Sequence, residues 1–172
     1  MDNYASYISD LASGESTEIF YNSSEKHALI VLKNIVKNAK EYVKAICGNL
    51  CSEVSNDPEY LAILDEYLSG SPSRKFQILL DDYQQDFKTR PIATVLKRYP
   101  NQVVIRSLKH DYIQYKNNHI HLTVSDDKSF RLETNVEKKM AWGCFNDPEK
   151  SKVFSAAFDK FFSDTHSTLV AV

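Results

Sequence analysis

His119-Ile-His121-Leu-Thr-Val-Ser-Asp126-Asp-Lys-Ser-Phe-Arg-Leu-Glu133-Thr134-Asn135-Val136-Glu137 is the one stretch of this chain in which several chemically competent side chains gather. Side chains of a strand alternate faces with period two, so histidines at i and i+2 share a face and a paired-imidazole site is geometrically possible. Asp126-Asp127 interrupts the alternation. The segments 119–125 and 128–133 on either side predict a hairpin, although the glycine that strengthens such a turn signal is missing. Asp126 reads first as a turn residue holding that hairpin, because its odd spacing from His119 puts it on the opposite face of a regular strand.

Upstream of the hairpin the chain alternates between helical and extended patterns. Residues 2–13 predict a short helix ended by Gly14, and Ser16 to Tyr21 a first strand. From Ser24, an N-cap candidate, the apolar positions Leu29, Leu32, Ile35, Val36, Ala39 and Val43 recur at helical spacing. A strand is expected near Tyr42–Cys47. Asp57-Pro58 opens a helix through about Leu68, with proline at a first-turn position where its missing N–H does no harm. Residues 75–81 read as a buried strand, 91–99 as a helix and 102–108 as a β-branched strand. Beyond the hairpin, a strand near residues 139–145 leads to Asn146-Asp147-Pro148, a cap-and-proline helix start. That last helix is expected to carry Val153, Phe154, Ala157, Phe158, Phe161 and Phe162 on one side, with adjacent Phe161 and Phe162 unable to face the same way.

This order predicts an α/β fold: a mixed, largely parallel β-sheet flanked by helices, with the hairpin adding strands of opposite direction. No repeat or linker divides it, so residues 1–172 are expected to form a single domain, with 1–15 a short N-terminal helical extension. The 172 residues, 42% hydrophobic and 12% aromatic, suffice for one core. A formal charge of -2 and a pI near 6.2 leave no global cationic field of the kind that neutralises nucleic-acid phosphates. No run of 18 apolar residues and no basic start before an apolar stretch occurs. A cytoplasmic protein with no membrane partner is therefore expected. Cys47, Cys51 and Cys144 are too few and too far apart for a disulfide framework and read as small buried residues. Lys33, Lys37, Lys40 and Lys44 are spaced as a solvated helix face.

The order of elements and the His119 segment together resemble one half of a phospholipase D superfamily protein, whose motif is H-x-K-x4-D-x6-G-S-x-N on a hairpin. The motif's histidine falls on His119, its lysine on His121, its aspartate on Asp126, its Gly-Ser pair on Glu133-Thr134 and its asparagine on Val136, one residue from Asn135. Glu18 to Tyr21 with Leu32, Ile35, Ala39 and Tyr42-Val43 is similar to the family's first strand and helix, and Phe145 to Glu149 to its entry into the last helix. Nearly all of the chain after residue 16 is covered. His119 and Asp126 match the motif outright, and Thr134 substitutes conservatively for serine.

The resemblance implies a phosphodiesterase acting on a nucleotide or nucleic acid. His119 would be the nucleophile that forms a phosphohistidine, and His121 the phosphate contact. Glu137 would orient His119, with Asp126, Glu133, Thr134 and Asn135 supporting the site. One motif per chain implies a homodimer that apposes two copies of His119. The departures weaken that chemistry: a histidine in place of the lysine is not a permanent cation at neutral pH, and Glu133 in place of glycine adds negative charge beside the phosphate. Two other functions stay open. One is a catalytically degenerate module that binds a nucleotide, a nucleic acid or a protein. The other is a metal site on His119 and His121, which needs a third ligand, for which His110 is the nearest candidate. No cofactor is required by any motif, and no metal is assigned.

Overall fold

The structure, a computed structural model, describes residues 3–172. In chain order its elements are α1 (Asn3–Ser13), β1 (Phe20–Asn22), α2 (Glu25–Asn38), β2 (Tyr42–Cys47), α3 (Pro58–Ser69), β3 (Lys75–Leu80), α4 (Pro91–Leu96), β4 (Val103–Ser107), β5 (Gln114–Tyr115), β6 (Asn118–His119), β7 (His121–Ser125), β8 (Ser129–Asn135), β9 (Met140–Cys144), α5 (Pro148–Phe162) and β10 (Thr168–Leu169). Short 3-10 turns occupy Gln85–Thr89 and His110–Tyr112. Three of the long helices begin where a side chain takes up a free backbone N–H. Ser24 Oγ accepts from His27 N (3.1 Å), Asp57 Oδ1 from Tyr60 N (2.9 Å) and Asp147 Oδ1 from Lys150 N (3.0 Å). Asp2, the first residue of the expected N-terminal helix, lies outside the described residues.

Eight strands form one mixed sheet in the order β1-β9-β8-β7-β2-β3-β4-β10, and β5 and β6 form a separate small ribbon. Parallel pairing is concentrated in β2-β3-β4, where helical crossovers return the chain to the same end. The consecutive strands β7, β8 and β9 pair antiparallel across tight turns, and β1 and β10 close the two edges antiparallel. Helices cover both faces. Val43, Phe76, Ile78, Leu80 and Ile105 meet α2, α3 and α4 on one side, while Ile46, Leu79, Leu122, Val124 and Phe130 meet Phe154 and Phe158 of α5 on the other. Ile8 and Leu11 of α1 pack with Phe20, Val31 and Ile35 in a third cluster.

Several local expectations change. The helical spacing that reaches Val43 overruns the real helix: α2 stops at Asn38, and Val43 is a buried residue of β2. The four lysines therefore do not share a helix face. Lys33 bridges Asp57 (2.9 Å) and Glu59 (2.6 Å), and Lys44 crosses from β2 to Asp159 (2.8 Å) on α5. Val153 is 56% exposed, so it does not belong to the apolar side of α5, whereas Phe161 and Phe162 are both half-buried against the core. Cys144 is buried, and Cys47 and Cys51 are half-buried.

The hairpin turns at Asp126 and Asp127, which both take left-handed φ values (54° and 47°), a conformation aspartate tolerates better than most residues. Gly143 on β9 lies opposite Phe20 on β1 and Arg131 on β8. A Cβ there would strike the Phe130 carbonyl oxygen and lie 2.5 Å from Cζ of Phe20. Glycine lets the Phe20 ring lie over the backbone.

Candidate functional site

The parallel strands β2 and β3 end side by side, and in open α/β sheets the crevice beyond such carboxyl ends is where ligands bind. Asp81 follows β3 directly. Its N–H donates to Cys47 O (3.0 Å) and its side chain is only 6% exposed. His119 ends β6 and His121 opens β7, separated by Ile120, which is buried in the core. Although the two histidines sit in different strands, both Nε2 atoms reach the same oxygen, Asp81 Oδ2, at 2.6 Å from His119 and 2.9 Å from His121. Their ring planes are nearly perpendicular, at 83°.

Each imidazole is also held from behind. His119 Nδ1 lies 3.2 Å from the Ile113 carbonyl oxygen, and His121 Nδ1 lies 2.9 Å from Glu133 Oε2. His121 and Glu133 are direct cross-strand partners in the β7–β8 register. Arg131, two residues earlier on the same face of β8, donates from Nη2 to Glu133 Oε1 (2.9 Å) and from Nε to Asn22 Oδ1 (3.0 Å). Asn22, Arg131 and Glu133 are all buried. Burial alone would pull the His121 pKa down, but its contacts with Asp81 and Glu133 outweigh it and hold the pKa above the usual histidine value. Burial alone would push the Glu133 carboxyl up, and His121 and Arg131 reverse that and hold it below the usual glutamate value.

The cluster faces an open cleft of about 450 Å³ that Gly48, Asn49, Asp82, His110 and Val136 also line. That is the size of a small-molecule site. Among the described residues, no lysine or arginine lines this cleft. Arg131 and Lys139 border an adjoining hollow of about 220 Å³, where Arg131 is already engaged by Glu133 and Asn22.

His119, His121 and Glu133 thus come together, and Glu133 turns inward as a partner of His121. The other motif positions do not join them. Glu137 is exposed in the turn between β8 and β9, and among the described residues no hydrogen bond or ion pair joins it to His119. The acid against His119 is Asp81. Asp126 lies at the opposite end of β7, where its carboxylate accepts from the backbone N–H groups of Lys40 (2.6 Å), Glu41 (2.9 Å) and Tyr42 (2.9 Å). Thr134 is exposed at an irregularity in the β8–β9 pairing, and Asn135 Oδ1 accepts from Lys138 N (3.0 Å), closing the next turn. His110 is not the third member of the group. Its Nε2 faces Asp111 (3.0 Å), and its ring centroid is 5.5 Å from that of His119. Among the described residues, Asp81, His119 and His121 form the group that could hold a metal ion, with one ligand atom from each within 4.8 Å of the others. Asp81 escapes sequence reading because it lies 40 residues before His121. Its one signal is its place, as an acid ending a buried apolar strand.

No protein-family model matches the sequence, and no curated protein matches it. Solved structures do. Nuc from Salmonella typhimurium, a phospholipase D family member, is similar with a TM-score of 0.56 at 11% identity, over 90% of this chain and 97% of that one. NucT from Helicobacter pylori gives 0.58 at 16% identity, over 89% and 100%. TrmBL2, an archaeal chromatin protein whose structure shows a novel mode of DNA binding, gives 0.61 at 10% identity over 88% of this chain. The present chain spans 53% of its length. The fold is phospholipase D-like, a mixed sheet flanked by helices.

Proposed function

We propose that this phospholipase D-like chain is a binding module in which the family's phosphohistidine chemistry has lapsed, and that its ligand is a small molecule of nucleotide size. One observation carries the reading: the Nε2 atoms of both His119 and His121 are directed at Asp81 Oδ2. A nucleophilic imidazole needs its reacting nitrogen free to face phosphorus, with an acid or carbonyl behind the other nitrogen. Here the position before Nε2 is taken by a carboxylate. The lysine that would hold phosphate charge is replaced by His121, and Glu133 adds a second buried acid. Phosphate would meet negative charge where the family supplies positive charge.

The overall charge of -2 supports the same reading, because backbone contacts dominate affinity for nucleic acid and demand lysine or arginine. A phosphohistidine enzyme built on this chain would need a homodimer placing a second His119 across the cleft. Hydrolysis of bis(p-nitrophenyl) phosphate and of single-stranded DNA tests the proposal, alongside sedimentation of the purified protein. No turnover above that of a His119→Ala variant is expected. A sedimenting dimer with chelator-insensitive hydrolysis that His119→Ala abolishes would overturn it in favour of the phosphodiesterase.

A further inference from the structure

We infer that Asp81, His119 and His121 bind one divalent first-row transition-metal ion of the zinc type, through Asp81 Oδ2 and the two Nε2 atoms. The three donors come from three separate segments, the end of β3, the end of β6 and the start of β7, yet they lie within 4.8 Å of one another. Two imidazoles and one carboxylate are a donor set that suits zinc or iron(II) rather than calcium or magnesium, which prefer all-oxygen shells.

Metal-bound imidazoles are oriented by an oxygen on the other nitrogen, and here both rings have one. Ile113 O faces His119 Nδ1 and Glu133 Oε2 faces His121 Nδ1. A carbonyl oxygen only accepts, so the hydrogen of a neutral His119 belongs on Nδ1 and its Nε2 lone pair is directed at Asp81. With His121 in the same tautomer, two nitrogen lone pairs and a carboxylate oxygen crowd together, an arrangement that a cation between them satisfies. Arg131 holds Glu133 in place behind His121 through a pair that is 5% exposed on both sides. The front of the cluster opens into the cleft of about 450 Å³, leaving room for an exchangeable fourth ligand, as in catalytic rather than structural zinc sites.

Bonds of about 2.0–2.2 Å to a tetrahedral ion set its ligand atoms roughly 3.3–3.6 Å apart. The present separations of 2.6 Å from His119 and 2.9 Å from His121 must therefore open by about 0.7–1.0 Å and about 0.4–0.7 Å. The short β5–β6 ribbon that carries His119 is the element placed to give. A ligand set of two imidazole nitrogens and one carboxylate would leave a bound dication one net positive charge, in a cleft that no lysine or arginine lines among the described residues.

This inference stands apart from the loss of phosphohistidine chemistry. Failure to bind metal leaves that reading intact, and chelator-insensitive hydrolysis sinks that reading without touching this one. The full chain, stripped with chelator, is titrated with Zn²⁺ by calorimetry and with Co²⁺ by absorption. One ion per chain with a Kd below about 1 µM is expected, together with a Co²⁺ spectrum distinct from that of the hydrated ion. Asp81→Asn and His119→Ala should each weaken binding at least about 100-fold, and Glu133→Gln about 10–100-fold. Because a variant at a buried position can fail to fold, imidazole ¹⁵N resonances of the unaltered protein give an independent readout. Zinc should shift Nε2 of His119 and His121 and leave His27 and His166 unmoved. No stoichiometric binding at micromolar metal, unmoved His119 and His121 resonances, or full affinity in a folded Asp81→Asn variant would each overturn the assignment.

Discussion

Glu133 is buried, yet Arg131 at Oε1 and His121 at Oε2 reach its two oxygens separately and hold its carboxyl below the usual glutamate range. Removing one partner of a buried pair leaves an uncompensated charge, so Arg131→Ala should cost about 3–5 kcal/mol in denaturant unfolding. The His121–Glu133 contact also sets a pH profile for metal-free protein. His121 has its folded pKa raised above 6.5, so its contribution is complete below that value and is lost as pH rises through the raised one. Glu133 has its folded pKa lowered below 4.5, so its contribution is present above 4.5 and is lost as pH falls through the lowered one. Urea midpoints of chelator-treated protein should be highest between these limits, and His121→Asn should flatten the alkaline decline. At this scale the two histidines are readable from their spacing. Their carboxylate partner is not, since nothing local ties Asp81 to a hairpin forty residues away.

Among the elements, the hairpin β7–β8 is pinned at both ends, by the His121–Glu133 pair at one and by Asp126 at the other. Asp126 gathers three N–H groups from the turn leading into β2, so Asp126→Ala should cost about 2–4 kcal/mol in thermal or urea unfolding. Metal affinity should be unchanged, because the residue sits at the far end of the strand. Gly143→Ala forces a methyl against Phe20 and the β8 backbone and should cost about 1–3 kcal/mol by the same measurement. Elements with a long period or a strong cap were legible: the start of α2, α3, α5 and the β7–β8 hairpin fall close to where the pattern puts them. The two-residue strands β5, β6 and β10 are too short for any period to register. The α2–β2 boundary is hidden because Ala39 and Val43 are both buried, and their spacing of four fits a helical face and an extended face alike.

At the scale of the molecule, the α/β class is legible from alternation, but the sheet order is not. The antiparallel block β7-β8-β9 inserts between β1 and β2, elements close in sequence, and only the packed sheet shows which edges meet. The acidic balance predicts weak affinity for duplex DNA. Anisotropy titrations at physiological salt should give no Kd tighter than the ~10⁻⁴–10⁻⁶ M range of sequence-independent binding. The β5–β6 ribbon contributes His119, has two paired residues per strand, turns through left-handed Lys116 and Asn117, and stands outside the main sheet, whereas His121 is part of that sheet. So small a ribbon is marginal by itself, and its opening need not disturb the eight strands. Assembly of the cluster is then a local equilibrium nested inside global stability. Amide hydrogens of residues 114–119 should exchange by brief excursions far below the free energy of unfolding, and saturating zinc should slow them while leaving β2 and β3 at the global rate.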